Sequence, residues 1–402
     1  MKKICFITQC SLPIPTVKGG AVETLVEYLL DENEIKNNFK FVVYSVGDDE
    51  AERKSHKYQY TTLKYIKKSN GKLNKILFRL DRVMQHLGIY IPCSVEFYRM
   101  LKQLRNEKNI DYFIYEAGQT TQLPLLARFI PKEKLLVHIH WDGMANKKKD
   151  SCFSRLIAVS DYIGRCWKKG SGCEEGKVIV LPNCAKIERF NIDTSETEKI
   201  ELRNKLGIPK NHRVVIFTGR IVKEKGVKEL LTAFDQLRTE LVTLVIVGSA
   251  NFGASTNTEY EKAVETLINE SKRNIVFTGF IHQTDLYKYY SIADVAVMPS
   301  MFQDPAPLVS IETQATGTPL VATRVGGIPE YIGNDDCGIL VDQDEHLVEN
   351  LRNKIDYLLE NEEVCENMKV QEKKHAQNYT TSLYYENFTK IIDRIVREQD
   401  GR

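Results

Sequence analysis

No stretch of this 402-residue chain approaches 18 consecutive apolar residues, which excludes a membrane-spanning helix. The N-terminal KKICFIT is short, and no signal-peptide cleavage pattern follows it. It is expected to be a first buried strand, and the protein is expected to stay in the cytoplasm. The nine cysteines are scattered without a CxxC pair, so a thiolate zinc motif or a dithiol redox motif is not indicated and reduced, inert thiols are expected. The glycines never form GxGxxG, so a dinucleotide fingerprint is missing. A strong overall charge is missing too, at a formal +2, and no nucleic-acid partner is expected.

What is present is ordinary globular usage, 42% hydrophobic and 27% charged, over a length that suits two or three domains. The near-zero net charge hides an asymmetry. Residues 1–190 carry 32 Lys and Arg against 21 Asp and Glu, and the remainder carries 24 against 33. Residues 51–110 alone carry 14 basic and 4 acidic groups, so the first half favours an anionic partner.

Apolar runs without alternation mark buried parallel strands at residues 3–8, 41–45, 112–115, 135–139, 155–159 and 178–181. After the first, Gly19-Gly20 opens a helical pattern with Val22, Leu25, Val26, Leu29 and Leu30 on one face. Strand, glycine pair and helix present backbone N–H groups to an anion or a polar substrate, or form a plain strand-to-helix turn. Residues 71–88 place Leu73, Ile76, Leu77, Leu80, Val83, Met84 and Leu87 on one helical stripe with Lys72, Lys75, Arg79, Arg82 and His86 off it. The stripe is either core with a solvated basic face, or the face of a helix that lies on an anionic membrane surface. His138 and His140 share a strand face. A metal pair there has no third ligand at suitable spacing, and a single His140 facing a cleft is the simpler reading.

Residues 183–212 are polar and read as a linker with a short helix. The strand-turn-helix pattern then restarts at residues 214–218. Gly219, Arg220 and Lys225 follow, ahead of a helix from about Gly226. Two cations at a helix N-terminus form a diphosphate site or are merely solvated. After another strand, Phe280 and Ile281 offer a surface for a base, unless Phe280 is core. The stretch from Pro299 to Glu330, PSMFQDPAPLVSIETQATGTPLVATRVGGIPE, reads loop, helix from Leu308 to Gly317, strand, and a Gly326-Gly327 turn. Asp304 in the loop and Glu312 in the helix can accept hydrogen bonds from sugar hydroxyls. The alternative is a helix cap at Asp304 and a solvated face at Glu312.

In this order, KGGAVETLVEYL, LLVHIHWDG, LIAVSDYI, VLPNCAKIERF, FTGRIVKEKGVKELLTAF, LVIVGSANFG and NIVFTGFIHQTDLYKYYSIADVAVMPS, with the 299–330 segment, make the chain resemble the retaining glycosyltransferases of family 4, of the bacterial cell-surface polysaccharide type. The resemblance implies an α/β GT-B fold, with two Rossmann-like doubly wound domains facing across a cleft. Residues 1–185 would bind the acceptor and 186–378 the nucleotide sugar, with a C-terminal helix over 379–402 crossing back. In the family's E-x7-E motif, Glu312 is the ribose-binding carboxylate and Asp304 the one that contacts the donor sugar, its arm one methylene shorter than the family's Glu. Arg220 and Lys225 match the pair that grips the diphosphate, Gly19 and Gly20 the N-terminal glycine loop, and His140 the histidine near the donor sugar. Gly219, Phe280, Ile281, Ala306, Pro307 and Leu308 complete the implied nucleotide-sugar contacts. Cys184 stands where the family has glycine.

The reaction so implied moves a hexose or N-acetylhexosamine from a nucleotide diphosphate, UDP favoured, to a hydroxyl of a saccharide or lipid-linked acceptor, with retention. No metal and no cofactor are expected, since Arg220 and Lys225 supply the charge that a leaving diphosphate needs. The alternatives are a GT-B nucleotide-sugar epimerase or a non-catalytic nucleotide-sugar-binding protein. A peripheral place on the inner membrane face follows if the 71–88 helix binds anionic lipid.

Overall fold

The computed structural model describes residues 1–69, 71–117, 120–249 and 258–401. Residues 250–253 of LVIVGSANFG therefore lie outside the described residues. The chain divides into two compact units, Met1–Asn183 with Thr381–Arg402, and Cys184–Thr380.

The first unit is built on strands β1 (Lys2–Ile7), β2 (Phe39–Val46), β3 (Thr61–Ile66), β4 (Tyr112–Ala117), β5 (Leu135–Ile139), β6 (Arg155–Ala158) and β7 (Val178–Val180). They form a parallel sheet ordered β3-β2-β1-β4-β5-β6-β7. Ile4, Cys5, Phe6 and Ile7 are all fully buried, which is why their run does not alternate: both faces of the sheet are covered. The order reverses between β1 and β4, and loops leaving the carboxyl ends of strands at such a point form the natural ligand site.

Helix α1 (Ala21–Lys36) follows β1, and the C-terminal helix Thr381–Asp400 packs against it. The Tyr385 hydroxyl donates to Asn33 Oδ1 at 2.7 Å, and the Phe388 ring lies 5.9 Å from Phe39 and 6.1 Å from Phe6. The chain's last helix is thus core to the first unit.

Helix α2 (Gly71–His86) overturns the reading of its apolar stripe as core. Leu73, Ile76, Leu80, Val83 and Leu87 are 47–70% exposed, and Asp81 is the helix's one buried residue. The helix is attached through polar groups instead. Asn74 donates to Glu96 Oε2 at 2.7 Å, and Asp81 Oδ2 accepts from Gln85 at 2.7 Å and Gln122 at 3.0 Å. Asn74, Asp81 and Gln85 fall on one helical side; Leu77 and Met84 beside them are half-buried, while Leu73, Ile76, Leu80, Val83 and Leu87 are exposed, as are Lys72, Lys75, Arg79 and Arg82.

The second unit repeats the plan with β8 (Arg213–Thr218), β9 (Val242–Val247), β10 (Asn274–Gly279), β11 (Val295–Met298), β12 (Leu320–Thr323) and β13 (Ile339–Val341). Its parallel sheet runs β10-β9-β8-β11-β12-β13, reversing between β8 and β11. Alternate residues serve opposite faces, as the period of two requires. Val215, Phe217, Leu244 and Val297 pack with Leu230 and Phe234 of helix α3 (Val227–Asp235). Val214, Ile216, Val245 and Met298 pack with Ile311 and Ala315 of helix α4 (Leu308–Thr316).

Candidate active site

The loops after β8 and β11, on either side of the second sheet's reversal, lean on each other. Beyond β8 come Gly219 and the exposed Arg220, then a single turn over Lys223–Lys225 and Gly226 at the head of α3. Gly226 has φ +70°, and a Cβ on it would stand 1.8 Å from the Pro299 carbonyl oxygen. Only glycine permits both the left-handed backbone and that approach. Gly226→Ala is therefore expected to destabilise by more than about 2 kcal/mol, the scale of a strained non-glycine φ with a backbone clash added. A thermal melt will show it as a lowered Tm.

The close approach carries Lys225 to Asp304. Its ammonium lies 2.6 Å from Asp304 Oδ2 and 4.9 Å from the Phe302 ring centroid. Asp304 is 5% exposed and does not cap α4: Pro307 holds that position with no side-chain cap bond. Its backbone is held by the Gly326-Gly327 turn, where Gly327 N–H donates to the Asp304 carbonyl at 2.7 Å. A Cβ on Gly326, φ +58°, would lie 2.3 Å from that same carbonyl oxygen.

Glu312 is buried within α4, not on a solvated face, and its Oε1 accepts from Gln283 Nε2 at 2.9 Å. Burial raises its carboxyl above the ordinary range, while the Gln283 bond opposes that rise. Phe280 is 45% exposed and so is not core, and Ile281 beside it is half-buried. Ala306 and Leu308 are half-buried and Pro307 buried where the loop enters α4. Lys225 and Asp304 are thus brought into contact, while Glu312 is engaged with Gln283. Gln283 carried no signal in the sequence. The Gly326-Gly327 turn was visible there, but not what it holds.

In the first unit Gly19 (φ +78°) and Gly20 (φ +110°) take left-handed backbone after β1, with Gly20 at the head of α1. His140 follows β5. Its Nε2 lies 2.7 Å from Glu116 Oε2, and His138 Nδ1 lies 3.1 Å from the same oxygen. The expectation that no third group joins the two histidines is corrected here, because parallel pairing sets Glu116 of β4 opposite His138 of β5. The three donor atoms lie within 4.8 Å of one another, a set that in composition could take a metal ion. Burial pushes the Glu116 carboxyl up, but the histidines, His138 foremost, outweigh it and hold the group at about 2. Burial, and then His138, lowers His140, so its imidazole is neutral near pH 7.

The first unit also holds a cavity of about 480 Å³ at the carboxyl ends of its strands, lined among others by Gln9, Lys68, Lys75, Phe78, Glu96 and Tyr115. Lys75 and Phe78 belong to α2, so the helix with the exposed apolar stripe forms one wall of it.

The segment from residue 198 to residue 375, which contains the loops after β8 and β11, matches the family described as Glycosyl transferases group 1. That segment falls within the second unit. Over its whole length the chain is 23% identical to spore coat protein SA of Bacillus subtilis, covering 98% of this chain and 99% of that protein. A stretch of 207 residues is 28% identical to a lipopolysaccharide 1,2-N-acetylglucosaminetransferase of Salmonella typhimurium, half of this chain and 52% of that one. Among solved structures, a glycosyltransferase from Rickettsia africae superposes with a TM-score of 0.76 at 17% identity, over 98% of both chains. Anabaena HepE in complex with UDP-glucose gives 0.73 at 18%, over 98% of this chain and all of HepE. These likenesses establish the GT-B fold, and with the family match they support a GT-B glycosyltransferase. Gly219, Arg220, Lys225, Phe280, Ile281, Asp304, Ala306, Pro307, Leu308 and Glu312 lie inside the matched segment, and Gly19, Gly20 and His140 lie outside it.

Proposed function

We propose that this protein is a retaining transferase of the family 4 type. It moves a hexose or N-acetylhexosamine from a nucleotide diphosphate sugar, UDP favoured, to a hydroxyl of a saccharide or lipid-linked acceptor, without a metal. The observation that carries the reading is the Lys225–Asp304 pair, 2.6 Å apart between the loops that leave β8 and β11. It stands at a sheet reversal and beside the amino end of α4, whose free N–H groups suit a phosphate. That HepE takes UDP-glucose and that the Salmonella relative is an N-acetylglucosaminetransferase support the same donor class.

Departure of the nucleoside diphosphate concentrates negative charge on the oxygen that leaves. Lys225 and Arg220 offset that charge, and their effect grows toward the transition state. Glu312 accepts from the ribose hydroxyls, and Asp304 from the sugar. Because Asp304 now neutralises Lys225, the donor must share that ammonium between its phosphates and the carboxylate. Removing the carboxylate charge separates the two roles. Asp304→Asn is expected to tighten UDP binding about five-fold, the ~1 kcal/mol scale of a partly exposed ion pair released to a new partner. The same change is expected to lower sugar transfer about 100-fold, the scale of one lost transition-state contact. Titration with UDP and initial rates on the same variant decide this.

The inside-out helix α2, apolar and basic on its free side, is assigned to an anionic membrane surface. The cavity that it walls is assigned to the acceptor, which makes a lipid-linked acceptor the natural choice. A panel of nucleotide sugars, followed by thermal shift and by nucleotide release with acceptor, tests the whole reading. Isomerised sugar without acceptor would show an epimerase, and stabilisation by UDP with no turnover would show a binding protein.

A further inference from the structure

Among the described residues, Gln283 alone hydrogen-bonds the Glu312 side chain, its Nε2 donating to Oε1 at 2.9 Å. Glu312 Oε2 takes no hydrogen bond among the described residues and is open to solvent, although the residue as a whole is 5% exposed. A carboxylate shut away inside a fold needs donors on both oxygens. Asp356 of this same unit shows that pattern: it is fully buried, with one oxygen accepting from Thr239 N–H at 3.1 Å and the other from Arg238 N–H at 3.0 Å. Glu312 has one donor and one free oxygen, which suits a ligand that brings the second donor. The turn that carries Gln283 is itself fixed. After β10 ends at Gly279, φ +70°, the chain makes a single turn over Gln283–Asp285, where the His282 ring accepts from Thr284 N–H and Lys288 Nζ lies 2.8 Å from Asp285 Oδ1. Tyr290 of the helix that follows, Leu286–Ser291, shares a core with Ile311 and Ala315 of α4. Packing thus anchors both ends of the Gln283–Glu312 bond.

We propose that Gln283 is a positioning residue for the nucleotide: it fixes the Glu312 carboxylate through Oε1 and leaves Oε2 as the acceptor for the ribose diol. This rests on the reading of Glu312 as the ribose-binding carboxylate. An ionised carboxylate only accepts, so the amide turns its NH₂ to Glu312. The gain is preorganisation. A carboxylate already held by one donor has less freedom to lose when ribose binds, and the same bond favours the ionised form, which accepts from both hydroxyls. Ribose lies away from the bond that breaks, so its binding is equal in the ground and transition states. The bond from Gln283 therefore lowers donor KM and leaves kcat alone.

The test compares UDP and GDP with their 2′,3′-dideoxy forms, by calorimetry on the full chain. The wild type is expected to bind the ribonucleotide about ten-fold more tightly or better, the scale of hydrogen bonds to a charged group. Gln283→Met keeps the length of the side chain and removes the donor. It is expected to weaken the ribonucleotide about ten-fold and to leave the dideoxy form within about two-fold, because the loss passes through the diol. In transfer assays donor KM should rise by the same factor while kcat holds. In a Glu312→Ala background, Gln283→Met should change nothing further, because its effect passes through the carboxylate. Gln283→Asn, one methylene short of Glu312, serves with the same expectations if Gln283→Met does not fold. A wild type that discriminates, with variants that discriminate as well, would overturn the inference and leave the ribose reading of Glu312 standing; Gln283 would then serve the fold alone and lower only the Tm. An equal loss for both nucleotide forms would overturn it too, since Gln283 would then act on another part of the ligand. A wild type that binds both forms alike would remove the ribose reading and the inference together. If neither UDP nor GDP binds, the proposed function fails, and the inference with it.

Discussion

Lys225→Ala is expected to abolish sugar transfer and to weaken nucleotide binding by roughly 2–4 kcal/mol, the range for a desolvated charge-assisted contact whose partner is left behind. The effect should exceed that of Arg220→Ala. Arg220 is exposed, whereas Lys225 is paired with an Asp304 that is 5% exposed. Removing the ammonium does more than delete one phosphate contact. It leaves a buried carboxylate unpaired and facing the incoming diphosphate, so attraction is replaced by repulsion. The double variant Lys225→Ala/Asp304→Asn should therefore regain part of the lost UDP affinity and none of the transfer, a coupling that a thermodynamic cycle measures directly. Calorimetry with UDP and an assay of nucleotide release are sufficient. Near-normal binding and rates in Lys225→Ala would place the diphosphate elsewhere.

Replacing Lys72, Lys75, Arg79 and Arg82 together with glutamine is expected to reduce binding to vesicles rich in phosphatidylglycerol by about three orders of magnitude, taking ~1 kcal/mol for each cation near an anionic surface. The fold should survive, since α2 is held by Asn74 and Asp81 and all four cations are exposed. The variant's UDP-induced thermal shift, which reports on the second unit, should match the wild type. Flotation with phosphatidylcholine alone should be weak for both proteins, because the apolar residues then act without attraction from charge. Unchanged flotation of the variant on anionic vesicles would rule this surface out.

Much of the second unit was legible. Non-alternating runs gave its strands because both faces of the sheet are buried. Helix α4 starts at Leu308 and ends at the left-handed Gly317, as the pattern of apolar residues and the glycine implied. The placing of Arg220 and Lys225 ahead of a helix was equally local. Three things were not legible. The stripe on α2 was visible, but a stripe says which residues share a side and not what that side meets. The ion pair of Lys225 joins residues 79 apart, which only the contact of two loops brings together. The carboxylate beside His138 and His140 comes from another strand, and it was missed because parallel register is set by helices packed across the sheet.

The amino-acid sequence by itself determined the succession of buried strands and crossover helices, and with it two doubly wound sheets and the loops that ligands can reach. Those features follow from periodicity and from glycines at left-handed positions, both of which act within a few residues. Tertiary structure alone decided that Asp304 answers Lys225, that Glu116 answers two histidines, and that α2 turns its apolar side outward. The physical reason is common to all three: charge pairing, strand register and the facing of a helix depend on distant segments meeting, and no local pattern encodes the partner.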